Sequence, residues 1–386
     1  MQRTAECAIV GGGIVGLSIA YHLAARGLRD VVVLEREQLV GTGSTGRCAG
    51  GFRHQFSGET NVRLSQLSIG KLIRFEEEME QPIDFHQDGY LFLLDRERDV
   101  SMFEKNAALQ RALGVEVELL PPEKIHTVLP ATDLELGDVL AASYCGGDGV
   151  SDPAGVTEGY RRNAVRLGVT VETSCEVVGI ERSGDRVHGV LLANGDAIAA
   201  PLVVNAAGPF AGVVGKMAGV KVPVVPLRRF IWTTHPFAGA PARWTLVIDF
   251  STGFYFHREG RGVLFGMGNR EEPPTFDVEV DWDFLERVAE IGSARFPALA
   301  DAAIRRGWAG SYESSPDANP ILGRVPGVEG LVLANGFSGH GFQHAPGVGQ
   351  LIAEEIVDGR ASTLDIAPFS ISRFDGGTTE SEYGVV

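Results

Sequence analysis

Lysine is scarce in this chain. Of 34 basic residues only Lys71, Lys105, Lys124, Lys216 and Lys221 are lysines, which limits where a catalytic amine can sit. Cysteine is scarcer still: Cys7, Cys48, Cys145 and Cys175 are scattered with no CxxC pair, so neither a zinc site nor a disulfide framework is indicated. No apolar run reaches the roughly 18 residues of a membrane span. Met1 to Glu6 does not read as a secretory signal, because Glu6 leads straight into an expected strand, and a cytoplasmic protein is expected. Positive charge is also short, with 34 Lys+Arg against 50 Asp+Glu and a net charge of −16, which makes nucleic acid a poor partner. What the chain has in abundance is glycine, 50 of 386 residues, about twice the usual ~7%. Its 44% hydrophobic and 22% charged residues are an ordinary globular balance, and the length suggests two domains at roughly 100–200 residues each.

The glycines are clustered. Cys7-Ala8-Ile9-Val10 reads as a short buried strand, and Gly11-Gly12-Gly13-Ile14-Val15-Gly16 follows at once. Ile14, Leu17, Tyr21 and Ala24 recur at helical spacing, and Gly27 closes the helix. A second strand, Val31 to Leu34, ends at Glu35, 19 residues beyond Gly16. Gly11 makes the tight turn, Gly13 lets the backbone approach a pyrophosphate, and Gly16 lets helix pack on strand. The helix N-terminus offers unpaired N–H groups to that pyrophosphate. Glu35, followed by Arg36, can accept ribose hydroxyls, and its charge would repel a 2′-phosphate. A glycine triplet alone is a weak signal. Strand, glycines, helix, strand and terminal acid in this order indicate a dinucleotide, without choosing between FAD and NAD.

Two further glycine loops decide the cofactor. Residues 41–53 (GTGSTGRCAGGFR) are too rich in glycine for regular structure. Ser44 and Thr45 offer hydroxyls, Arg47 and Arg53 offer charge, and Cys48, Ala49 and Gly50 permit close approach. Near the other end the strand Leu331 to Ala334 runs into Asn335-Gly336-Phe337-Ser338-Gly339-His340-Gly341-Phe342-Gln343, with Pro346 expected in the first turn of a helix reaching about Asp358. A second helix N-terminus beside the ligand suits one that gains negative charge, as a flavin does at N1 and the C2 carbonyl on reduction. Between these loops, Thr170-Val171, Glu176 to Ile180 (through Val177) and Val187 to Leu192 read as a β-meander with a turn at Asn194-Gly195. The strand Leu202-Val203-Val204 leads into Asn205-Ala206-Ala207-Gly208, another close pass by the cofactor. Segments 81–144 and 226–304 carry aromatics at alternating positions (Trp232, Trp244, Phe250, Phe254, Tyr255, Phe256) and read as antiparallel strands of a second domain roofing the flavin. The tail Asp375 to Val386 reads as loosely ordered.

Five motifs together carry a resemblance: GGGIVG with Glu35, GSTGRCAGGFRHQF (43–56), VVNAAGPFAG (203–212), YESSPDANPILG (312–323) and GFSGHGFQHAPGVG (336–349). Over essentially its whole length the chain resembles the D-amino-acid-oxidase-like FAD superfamily, nearest the sarcosine oxidase β-subunit and sarcosine–dimethylglycine dehydrogenase branch. The last motif, with STLDIAPFSISRF (362–374), is also similar to the mitochondrial FAD-dependent oxidoreductase-domain proteins. The resemblance implies an α/β plus β architecture: a Rossmann-like FAD-binding domain of glutathione-reductase type (1–80, 145–225 and 305–386) with an interleaved antiparallel-sheet substrate domain (81–144 and 226–304). It implies oxidation of the C–N bond of a secondary or tertiary amino acid, with hydride passing to flavin N5 and the imine then hydrolysing.

The departures from the family pattern carry information too. Arg47 stands where dimethylglycine and sarcosine dehydrogenases attach flavin through a His, and Gly310 where monomeric sarcosine oxidases attach it through a Cys, so non-covalent FAD is implied. Arg53 matches the Arg of the carboxylate site, whereas Gln343 replaces its Lys, implying a weaker or differently arranged hold. Leu264 and Gly268 fall where the oxygen-activating Lys and a substrate-facing His would stand. The expected function is therefore oxidation of a small amino acid such as sarcosine, with Arg53 on the carboxylate, His340 and Gln343 flanking the ring, and Tyr255 on the substrate side. The electron acceptor is oxygen or another carrier, and other subunits can be associated. The alternatives are a proline- or glycerol-phosphate-type dehydrogenase, a flavin monooxygenase, or a flavoprotein with an assembly role and no turnover.

Overall fold

Strands that are apolar at every position need cover on both faces. Cys7–Val10 is buried throughout and lies inside a six-stranded sheet of order Ile321–Arg324, Leu331–Asn335, Val203–Asn205, Cys7–Val10, Val31–Leu34, Thr170–Glu172. The pairs are parallel, with Ala8 opposite both Val32 and Val203, except that Ile321–Arg324 runs antiparallel to its neighbour. The computed structural model describes residues 3–376 and 379–383.

Helices Ile14–Ala25, Glu59–Ile73, Pro153–Arg166 and Gly341–Val357 cover one face, burying Leu17, Leu64, Tyr160 and Val348 in a common core. The other face packs on a meander of Val177–Ser183, Arg186–Leu192 and Ala197–Ala199, extended by Arg3–Thr4, and on helix Ala211–Met217. Thr170–Glu172 is thus not the first strand of the meander, as its sequence suggests, but the edge of the six-stranded sheet. The reason lies in the link: Ser174 adopts a left-handed φ of 54°, and its N–H and that of Cys175 bond to the carbonyls of Glu37 and Glu35. The chain is turned there from one layer to the other.

An eight-stranded sheet forms the second layer system, in the order Ile304–Ser314, Val225–Thr234, Gly262–Gly268, Tyr255–Glu259, Leu246–Asp249, Tyr90–Leu94, Ala141–Cys145, Val117–Leu120. It is antiparallel except where Leu246–Asp249 runs parallel to Tyr90–Leu94. Trp232, Phe254 and Phe256 are core here, against helix Trp282–Arg295. That helix and Glu97–Ala112 interrupt the expected run of strands. The expected boundary at 305 falls inside Ile304–Ser314, which pairs with Val225–Thr234 along its length. The same strand then bridges at Ser314 to Phe337, so it ties the two sheets together beside the third glycine loop.

Two local expectations are corrected. Helix Gly341–Val357 begins before Pro346, which sits inside it. Its first turn is bound to other elements: Gln343 Oε1 accepts from Arg53 N–H, and Ser65 Oγ lies 3.2 Å from His344 Nε2. These contacts offset the one backbone bond that Pro346 cannot make. The tail is not loose where it is described, for Glu382 is buried and accepts from Ser57 and Gly58 N–H groups. Gly377, Thr378 and residues 384–386 lie outside the described residues.

Candidate active site

Two contiguous cavities, with about 1600 and 1170 Å³ of empty space including open solvent, run between the two sheets and share Ile14, Thr45, Arg47 and Glu313 on their common wall. Glu35 and Arg36 line the far end of the larger one, with Val177, Ala207 and Gly208 opposite. Glu35 Oε2 accepts from Gly12 N–H at 2.8 Å and Oε1 from Glu37 N–H at 2.9 Å, so the carboxylate is held at the glycine turn. The Arg36 guanidinium lies 3.7 Å over the Phe210 ring. Gly11, at φ +114°, leaves no room for a side chain, since a Cβ would stand 2.4 Å from the Ala206 carbonyl oxygen. Gly13, Ile14 and Val15 line the cavity, and Thr45 Oγ1 accepts the Ile14 N–H at 3.2 Å, which closes the second glycine loop over the helix N-terminus. Gly12, Gly16 and Gly336 line neither cavity and instead shape the backbone. Arg47 reaches both cavities, but its Nη1 donates to Ala309 O at 2.9 Å. Beside it, a Cβ on Gly310 would meet Arg47 Cβ at 2.9 Å.

The smaller cavity gathers Ser44, Cys48, Ala49, Gly50, Arg53, Tyr255, Gly310 and the loop Ser338 to Gln343. Burial raises the Cys48 thiol to about 11, and its Sγ donates to Thr45 O at 3.1 Å. Arg53 is buried. It donates through Nη1 to Gln55 O and through Nη2 to His340 Nε2 at 2.9 Å, and it lies 4.1 Å over the Phe56 ring. Burial, with the Arg53 cation second, holds the His340 imidazole well below its ordinary value, so it is a neutral acceptor. Gln343 lines this cavity but its amide is committed: Oε1 accepts the Arg53 N–H at 2.7 Å and Nε2 lies 3.2 Å from His344 Nε2. Its oxygen is thus spent on the Arg53 backbone.

Behind this wall, His54, Cys145 and Asp148 bring their ligand-type atoms within 4.8 Å of one another. The scattered cysteine spacing gave no hint of it. Asp148 is fully buried and spends its oxygens on His54 N–H (2.7 Å), His54 Nδ1 (2.7 Å) and Gln55 Nε2 (3.0 Å), so it buttresses the 53–55 segment. Sequence reasoning missed Tyr90, Tyr312, Glu313 and Arg229, all on the wall of the smaller cavity. Alternation was the available signal for Arg229: in Val225–Thr234 it shares a face with Ile231, which lines the same cavity, while Arg228 points away to Glu272 and Asp277. Burial pushes the Glu313 carboxyl up to about 8, although it accepts from Gly336 N–H at 3.0 Å.

These residues fit FAD. A carboxylate at one end, a helix N-terminus behind a glycine turn in the middle, and a second helix beginning at Gly341 at the other end match the ribose, pyrophosphate and ring of that cofactor in order. A family profile described as "FAD dependent oxidoreductase" (DAO) matches residues 6–355. The chain is 35% identical to FAD-dependent oxidoreductase domain-containing protein 1 of Xenopus laevis, over 96% of this chain and 82% of that protein. It is 33% identical to the mitochondrial dimethylglycine dehydrogenase of Rattus norvegicus, over 97% of this chain but only 45% of the relative. Among solved structures, L-proline dehydrogenase from P. horikoshii superposes with a TM-score of 0.89 at 34% identity, covering 97% of this chain and 99% of that one. No helix among the described residues is long and apolar enough to cross a membrane.

Proposed function

Because the chain belongs to the FAD-dependent oxidoreductase (DAO) family, we propose that it oxidises the C–N bond of a small, secondary or N-methyl amino acid. The observation that carries this reading is the meeting, in one cavity, of a buried guanidinium and the loop that starts the second cofactor-facing helix. FAD, when bound, supplies the acceptor for the hydride and its electron pair. The chain's residues bind and orient. Arg53 takes the substrate carboxylate, since a guanidinium fork fixes the α-carbon by two parallel hydrogen bonds. His340, neutral and bonded to Arg53 Nη2, sets the direction of that fork. Leu246, Ile248 and Ile231 line the roof and limit water. Burial holds the Tyr255 hydroxyl protonated, so it can donate to a substrate oxygen but does not act as a base. The amine must therefore arrive deprotonated, and the imine product is released to hydrolyse.

The test is anaerobic mixing of the FAD-loaded protein with sarcosine, dimethylglycine, proline and glycine. Bleaching of the flavin by at least one is expected. Arg53→Ala, at unchanged FAD content, should lower the reduction efficiency by at least about 10²-fold, because charged hydrogen bonds contribute roughly 1.5–3 kcal/mol each. Arg53→Lys should also fail, because an ammonium cannot supply the fork. Absence of bleaching across the panel would favour a flavoprotein without amine turnover.

A further inference from the structure

A second guanidinium faces the same cavity and the reading above leaves it without a task. Arg229 sits mid-strand in Val225–Thr234, opposite Gly268 on one side and Gly310 on the other. Its neighbour Arg228 is neutralised by Glu272 and Asp277. Arg229 has no such carboxylate among the described residues: Nη1 donates to the Arg228 carbonyl at 3.0 Å, and Nε is buried with no hydrogen-bond partner. Glu313, a carboxyl on the same wall, is bonded to Gly336 N–H instead. A guanidinium held this way, partly desolvated and without a counter-charge, is costly unless a ligand supplies an anion.

The surroundings are built around that side chain. Gly268 leaves the space it occupies, since a Cβ there would stand 2.6 Å from Arg229 Nε. The Arg229 Cζ lies 4.9 Å from the Tyr312 ring centroid. Tyr255 and Tyr312 are both within electrostatic reach of Arg229, while Tyr90 and Tyr312 are within reach of Arg53. Tyr312 is thus within reach of both arginines. No hydrogen bond among the described residues engages the hydroxyls of Tyr255 or Tyr312, and both side chains line the cavity. The cavity therefore offers two guanidinium groups with tyrosines on the same wall, whereas a monocarboxylic amino acid needs only one.

We infer that Arg229 binds a second anionic group of the substrate, so that the amino acid oxidised carries two carboxylates. The inference rests on the amino-acid reading for the reaction but concerns a different wall of the cavity. It is tested on the FAD-loaded protein by ligand-induced change in flavin absorbance, using unreactive probes: succinate, glutarate and adipate against butyrate, valerate and caproate. At least one dicarboxylate is expected to bind about 10-fold or more tightly than the monocarboxylate of equal length. Arg229→Gln should abolish that preference while leaving monocarboxylate binding and FAD affinity within about twofold. Gly268→Ala, which crowds Nε without removing the cation, should reduce the same preference. Equal binding of both series by the wild type would overturn the inference, as would an Arg229→Gln variant that weakens both series alike or loses FAD affinity instead. If monocarboxylic amines bleach the flavin and the probes show no preference, this inference fails alone. If the Arg229-dependent preference appears and neither the monocarboxylic panel nor the dicarboxylic amines iminodiacetate and N-methylaspartate bleach the flavin, the oxidation reading fails and the anion site stands.

Discussion

Replacing Glu313 by Gln should flatten the alkaline half of the stability profile. Burial raises this carboxyl from 4.5 to about 8, against opposing backbone N–H bonds from Gly336 and Phe337. Between those values the folded state holds the extra proton, so the contribution is present below 4.5 and is lost as pH rises through about 8. Two histidines act in the opposite sense. Burial lowers His22 and His344 from 6.5 to about 3, so between those values the unfolded chain binds more protons and stability climbs with pH up to 6.5. Each group moves stability by about 1.4 kcal/mol per pH unit within its window. Below pH 6.5 the two histidines outweigh Glu313. Above it Glu313 acts alone of the three, and the interval from 6.5 to 8 amounts to on the order of 2 kcal/mol. Gln retains a carbonyl acceptor for the Gly336 N–H, so the loop keeps its bond without the titration. The assay is urea unfolding from pH 5 to 9 at fixed, saturating FAD, comparing midpoints at constant slope. The wild-type midpoint should fall from pH 6.5 to 8 while that of Glu313→Gln stays level. Parallel decline in both proteins would refute the linkage argument.

Three further outcomes are expected. Glu35→Ala should weaken FAD far more than flavin mononucleotide, because only FAD carries the adenosine ribose; equal losses, measured by fluorescence titration, would remove Glu35 from the ribose. Acid precipitation should leave yellow flavin in the supernatant, since Arg47 and Gly310 stand where the family resemblance implies covalent attachment in relatives; flavin kept in the pellet would point to Cys48. Gly349→Ala should lower the melting temperature, although helix propensity alone favours Ala by about 1 kcal/mol. A Cβ at Gly349 would lie 2.1 Å from Ser18 Oγ and 2.8 Å from the Ser18 carbonyl carbon, and overpacking of this kind costs roughly 1–3 kcal/mol. A gain in melting temperature would show that the helix crossing has room to relax.

The nucleotide end of the site was legible in the sequence because it is local. Gly11 to Glu35 form one strand–helix–strand unit, and the bond from Gly12 N–H to Glu35 spans only 23 residues. Its periodicities and turn chemistry are set by neighbours along the chain, so residue order is enough. The substrate end is assembled from segments far apart in the chain. Arg53 meets His340 across 287 residues and Gln343 across 290, which is why the sequence supplied those three residues but not the bonds that commit Gln343 to the Arg53 backbone. Two adjacent arginines looked alike, and only the pairing of Val225–Thr234 between two neighbours decided that Arg228 faces acids and Arg229 faces the cavity. Thr170–Glu172 had the composition of a meander strand, yet the turn at Ser174 and the open edge beside Val32–Leu34 drew it into the other sheet. Pro346 suits the first turn of a helix, but the helix begins at Gly341, and its actual first turn is bound to Arg53 and Ser65. Local sequence determines which elements can form; which face each one buries, and what its polar groups then meet, depends on partners hundreds of residues away.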